Sequence, residues 1–185
     1  MDCIDLMIKE HDNILLLVQT FRNACCRMIE GEAVSQDDFR EMIAVARTYA
    51  DAHHHGKEEK ILFRAMTEHL GQIAVNLIQH GMLVEHDLGR FHLYELEEAL
   101  KRHETDPSAA NKLDIITHAG GWANLLQRHI DKENDAVYSY ARRALPPDVL
   151  KEVETETAQF EADAETGAVV GKAIETLNQL YKKYC

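Results

Sequence analysis

Apolar residues recur every three or four positions along most of this chain, the period of a helix with one buried face. Ile4, Met7, Ile8, Leu15, Val18, Phe21, Cys25 and Met28 form the first stripe, which stops at Glu30-Gly31. A second carries Phe39, Ile43, Ala46, Ala50, Ile61 and Ala65 and ends near Leu70-Gly71. The third holds Val75, Ile78, Met82, Leu93, Leu96 and Leu100 until Thr105-Asp106-Pro107-Ser108 breaks it. The fourth holds Ile115, Ala119, Trp122, Leu126, Val137 and Tyr140 and closes before Pro146-Pro147. Short connections force sequential helices to pack antiparallel, so residues 1–145 are predicted to form an all-α, up-down-up-down four-helix bundle. Two shorter helices follow, from about Asp148 to Ala164 and from Ala168 to Tyr184, split at Thr166-Gly167. Residues 146–185 therefore read as a C-terminal helical hairpin, rich in Glu and Thr, serving as a flank, a lid or a dimer surface.

Each of the four stripes is interrupted by histidine. The first contains Glu10-His11-Asp12, the second His54-His55-Gly56-Lys57-Glu58, the third Glu85-His86-Asp87 and the fourth His129-Ile130-Asp131-Lys132-Glu133. The arrangement is an internal repeat: His11 and His54 are 43 residues apart, as are His86 and His129. An aromatic residue stands five positions after each glutamate, Phe63 after Glu58 and Tyr138 after Glu133, which pairs His54 rather than His53 or His55 with His129. The helix lengths agree. From His11 to the turn near Gly31 is roughly 30 Å at 1.5 Å per residue, and the return to His54 is similar, as are the other two turns, so the four histidines should lie in one layer.

His and Glu at i and i+4 project from one helix face and can reach a common point inside the bundle. Two carboxylates buried among neutral imidazoles are untenable unless cations compensate them. A metal pair does so, with imidazole suiting iron, zinc, copper or nickel and the carboxylates able to be shared by two ions. Two octahedral ions offer about twelve positions; two bridging carboxylates, one bridging oxygen and five imidazoles leave about one open. The fifth imidazole is assigned to His55, because adjacent helical residues diverge by only about 100° and two ions present two targets. The remaining histidines, His53, His69, His80, His92, His103 and His118, lie off the repeat and read as surface or capping residues. Glu10 and Glu85 are placed to accept the second ring N–H of a ligand histidine, but a solvated helix face is the simpler reading. Met7 and Met82 read as core filler. Gly56, Gly81 and Gly89 suggest close backbone approach or room for a small ligand, and Gly120-Gly121 a kink.

Composition narrows the function. Of 185 residues, 20 are Lys or Arg and 32 Asp or Glu, a net charge of −12 with histidine neutral. Nucleic-acid binding needs clustered cations, so that partner is excluded. No stretch has the length and apolarity of a membrane span, and Met1-Asp2-Cys3-Ile4-Asp5 lacks a cationic leader, so the chain reads as cytoplasmic, without a membrane partner. Its four cysteines, Cys3, Cys25, Cys26 and Cys185, form neither a Cys-x-x-Cys pair nor a disulfide framework and read as reduced thiols. Ferritin-type oxidases use Glu-x-x-His pairs, which this chain does not contain.

His-x-x-x-Glu followed by an aromatic, twice, with Glu-His ahead of each, resembles the hemerythrin-like, or HHE cation-binding, family of non-haem diiron four-helix bundles, over about residues 3–145. The resemblance implies His11, His54, His86 and His129 as terminal ligands and Glu58 and Glu133 as bridging carboxylates, holding two iron ions with a bridging oxo or hydroxo group. Oxygen-carrying members place a second histidine one turn from the third-helix ligand, where this chain has Met82 and Arg90. An iron-sensing F-box member uses instead the residue directly after the second-helix histidine, here His55. The expected function is therefore a diiron protein that binds O2, NO or peroxide at an open iron position, for sensing, storage or stress protection. The alternatives are a redox enzyme turning over peroxide or NO, and an iron sensor acting through metal-dependent folding.

Overall fold

The computed structural model describes residues 2–185, which are helical apart from short connections. Helix α1 runs Cys3–Ile29, α2 spans 36–69, α3 71–105 and α4 109–144; α5 is Pro147–Glu161 and α6 Ala164–Tyr184. The boundaries follow local chemistry. Asp2 caps α1 by accepting the Asp5 N–H at 2.8 Å, and Ser108 caps α4 through the Asn111 N–H. Gly31 (φ 88°) and Gly71 (φ 68°) turn the chain after α1 and before α3, in the left-handed region that side chains disfavour.

The first four helices pack antiparallel, since the contacts of each pair rise along one helix and fall along the other. Between α1 and α2 they run His11–His54, Asn13–Tyr49 and Phe21–Phe39. Between α2 and α3 they run Arg40–Glu104, Arg47–Glu97 and Asp51–Arg90. Helices α3 and α4 meet through His86–His129 and Arg102–Asp114, and α4 returns to α1 through Asn134–His11 and Asn124–Arg22.

The core is split in two. One cluster holds Phe21, Phe39, Leu96, Leu100 and Trp122, the other Met7, Leu62, Phe63, Met66 and Tyr138. On every bundle helix the candidate ligands fall between these clusters, so a polar layer separates two apolar ones. Four segments near this layer adopt π-helical hydrogen bonding: Ala46–His55, Glu58–Leu62, Ile78–Met82 and Glu133–Val137. Such turns concentrate at functional sites, where they rotate the side chains that follow.

The C-terminal extension is helical as expected, but its two helices are laid end to end rather than folded back as a hairpin. Glu154 and Thr157 lie against Asp2 and Cys3, Tyr181 against Gln19, and Tyr184 against Asn23 and Arg27, so α5 and α6 follow α1 in one direction. The break falls at Ala162-Asp163, not Thr166-Gly167, because Asp163 is extended (ψ 114°) and caps α6 by accepting the Thr166 N–H. Each helix also has a different cluster to cover. Val149 and Val153 complete the Met7 cluster, whereas Ala173, Leu177, Leu180 and Tyr184 complete the Phe21 cluster. Among the described residues, no helix is long and apolar enough to cross a membrane.

Candidate metal centre

The seven sequence-predicted residues, His11, His54, His55, Glu58, His86, His129 and Glu133, are all buried and meet in the polar layer. They form two groups whose donor atoms lie within 4.8 Å of one another: His11, His54, Glu58 and Glu133 in the first, His55, Glu58, His86 and His129 in the second. Glu58 belongs to both. Glu133 also reaches both, with Oε2 3.3 Å from His11 Nε2 and Oε1 3.0 Å from His129 Nε2. The His55 ring stacks on that of His86, with centroids 3.8 Å apart and planes 6° off parallel.

All four repeat histidines present the same ring edge to the interior. His54 Nδ1–H donates to Glu10 Oε2 at 2.8 Å and His129 Nδ1–H to Glu85 Oε2 at 2.9 Å. His86 Nδ1–H donates to Glu59 Oε1 at 2.7 Å and His11 Nδ1–H to Asn134 Oδ1 at 2.9 Å. With that edge turned outwards, each ring directs its Nε2 inwards. His11 and His54 then bring two such nitrogens to 2.8 Å, and His86 and His129 bring theirs to 3.0 Å. Two ring nitrogens that close need a shared proton or a metal ion between them.

The buried acceptors make the same case. His55 Nε2, Glu58 Oε2 and both carboxylate oxygens of Glu133 have no hydrogen-bond partner, whereas buried polar groups are normally satisfied. Burial and the nearby Glu133 charge push the Glu58 carboxyl well above its ordinary range. Burial acts likewise on Glu133, but His129, His11 and His86 outweigh it and hold Glu133 well below. Burial lowers His54 to about 4 and His55 to about 3, which keeps both rings neutral and able to ligate. Imidazole nitrogens and carboxylate oxygens in two convergent groups fit a pair of transition-metal ions, and the unmatched acceptors are what such ions would satisfy.

Some residues surrounding these donors were not read correctly from sequence. Glu10 and Glu85 do not sit on a solvated face: each orients a histidine and is itself held by a lysine, Lys57 on Glu10 and Lys132 on Glu85. The equal spacing of Glu10 to Lys57 and Glu85 to Lys132 within the repeat was the available signal. His53 is buried beside Glu10 rather than exposed. His92 and His118 form a half-buried pair with Nδ1 atoms 3.3 Å apart, and His103 meets Gln36 at 2.8 Å. At Gly121 a Cβ would stand 2.5 Å from the His92 ring, so glycine makes room for that imidazole. Gly56, Gly81 and Gly89 would each accept a Cβ without a clash.

The two halves differ at the aromatic position. Tyr138 stacks on His11 and donates its hydroxyl to Glu58 Oε1 at 2.6 Å, while Phe63 packs against His86 and has no donor for Glu133. A cavity of about 10 Å³, enough for one water-sized molecule, lies beside His55 and His86 between Ala46, Ala50, Gly89 and Trp122. On its rim Arg90 bonds Asp51 and Glu59, each at 2.7 Å.

Compared with models of known families, residues 2–141 match the one described as hemerythrin HHE cation binding domain. Comparison with curated proteins and with solved structures returned no match.

Proposed function

The chain belongs to the hemerythrin HHE cation-binding family, and from that premise we propose that it is a diiron protein binding a small ligand, O2, NO or peroxide, for sensing, storage or stress protection. His11 and His54 would hold one iron and His55, His86 and His129 the other, with Glu58 and Glu133 within reach of both groups. The observation that carries this reading is the inward convergence of histidine Nε2 atoms on buried carboxylate oxygens that lack a hydrogen-bond partner. Bound iron supplies a redox-active Lewis acid with room for one exchangeable small ligand.

The protein's own residues support small-ligand binding at such a site. Each repeat histidine is fixed by a hydrogen bond to Nδ1, which sets its ring orientation and raises its basicity as a ligand. The small cavity beside His55 and His86, lined by Leu93, Trp122, Ala46 and Ala50, has a volume that suits a small ligand. Tyr138 holds its phenolic proton on Glu58 Oε1, leaving Oε2 for metal. The imidazole count favours iron over calcium or magnesium, which take oxygen donors.

The test is a visible spectrum of the anaerobic iron-loaded protein before and after O2, NO or peroxide. A new band at one equivalent of ligand that reverses when the ligand is removed supports the proposal. Steady O2 evolution from peroxide without loss of colour would replace it with the enzyme reading, and no spectral response to any of the three would reject both.

A further inference from the structure

The C-terminal extension lies outside the segment matched to the family, yet it touches the metal layer at one place. Glu161, the last residue of α5, reaches the ammonium of Lys57, which also holds Glu10 and lies 3.1 Å from His53 Nε2. Glu10 in turn accepts the Nδ1–H of His54. Lys57 is fully buried, a rare place for an ammonium unless it is paired. Phe160 closes the cluster, with its ring 5.8 Å from that of His53 and its edge over Gly56.

The second half of the repeat provides an internal comparison. There Lys132 holds Glu85, which holds His129, but no helix covers the lysine and its side chain is 49% exposed. One arrangement inherited from the repeat is therefore wet, while in the other the lysine is buried and also meets a second carboxylate, Glu161 of α5, whose own side chain is 34% exposed. In water an ion pair of this kind is screened and holds its partner weakly; inside the protein the same groups fix each other and the ring they orient.

We infer that Lys57 and Glu161 are positioning residues for the His11/His54 metal position, so that docking of α5 and occupancy of that position are thermodynamically linked. This rests on the metal assignment proposed above. Linkage is reciprocal: if α5 tightens metal binding, metal must hold α5 more firmly on the bundle by the same factor. The extension is then a device by which anything that lifts α5 loosens one ion and leaves the other in place.

The alternative is that Glu161 only fastens α5 to α2. Glu156 supplies the control, because it also fastens α5, through an ion pair to Arg64 at 2.6 Å, but has no path to a ligand histidine. Wild type, Glu161→Gln and Glu156→Gln are each titrated with Fe(II) under anaerobic conditions. Hydrogen exchange of residues 147–161 is followed with and without metal, and circular dichroism checks the fold of each variant. Glu161→Gln should weaken one of the two ions by about tenfold and leave the other unchanged, the usual size of effect for a group that orients a ligand. In wild type and Glu156→Gln, metal should slow exchange in α5; in Glu161→Gln that dependence should shrink. Unchanged affinities in Glu161→Gln, equal weakening in both variants, or exchange in α5 indifferent to metal would overturn the inference while the metal assignment stands. A wild-type protein that binds no Fe(II) would instead overturn the assignment itself.

Discussion

At the scale of single residues, chemistry is set by burial and by one or two neighbours. Burial pushes the Cys3 thiol up to about 11 and Cys25 to about 12, whereas Cys26 and Cys185 are exposed. Only thiolates attack, so a thiol reagent at pH 8 should modify Cys26 and Cys185 rapidly and spare Cys3 and Cys25 until the protein unfolds. Peptide mapping after brief alkylation checks this; early labelling of Cys25 would contradict the packing of α1. Tyr138→Phe removes the hydroxyl that satisfies Glu58 Oε1 and leaves a buried carboxyl without a donor. The metal-free variant should lose about 1–3 kcal/mol in urea denaturation. An unchanged midpoint would mean that the tyrosine contributes packing alone. Sequence reading picked out residues that converge in the layer because the repeat copies all but His55 of them at equal spacing, but it missed the groups behind them. Glu10 and Lys57 are ordinary surface residues by type, yet both are buried here, with Lys57 paired to Glu161 of α5. His53 was misassigned for the same reason.

At the scale of elements, the polar layer makes the metal-free bundle sensitive to pH on both sides. His54 and His55 are depressed in the folded state, to about 4 and about 3, chiefly by burial. The unfolded chain therefore takes up protons first as pH falls below about 6.5, and the stability these rings contribute is lost toward pH 4. His129 behaves oppositely. Burial lowers it, but Glu133 and Glu85 outweigh that and raise it to about 9, so its contribution is complete below about 6.5 and lost as pH rises through 9. The melting temperature of the metal-free protein should peak near pH 6.5 and fall on either side, as scanning calorimetry can determine; a plateau from pH 6.5 to 9 would remove His129 from the argument. The helices themselves were legible from apolar spacing and from the Gly31, Gly71 and Pro146 boundaries. The π-helical turns at Glu58–Leu62 and Glu133–Val137 were not, since a single wider turn leaves the three-to-four-residue period almost intact. Nor was the end-to-end course of α5 and α6. An apolar stripe shows that a helix packs, but which of two clusters it covers is decided by the rest of the bundle.

At the scale of the whole molecule, two copies of one helix pair enclose a layer of five imidazoles and two carboxylates between two apolar cores. The net charge of −12 includes Glu58 and Glu133, which face the interior rather than solvent. Because donors from all four helices converge there, metal should hold the helices together, and its removal by a chelator should lower the melting temperature. Loss of one donor should be felt by both ions when that donor serves both. Glu133→Ala is therefore expected to abolish loading of the pair, and His54→Ala to do so by removing a donor from the first position. The central claim is that this layer is a two-metal site, and the most direct test is elemental analysis of the purified protein beside the His54→Ala and Glu133→Ala variants. Two ions per chain in the wild type, predominantly iron, with neither variant retaining the pair, is the predicted result. A folded wild-type protein without stoichiometric metal after anaerobic incubation with Fe(II), or either variant still holding two ions, would contradict it.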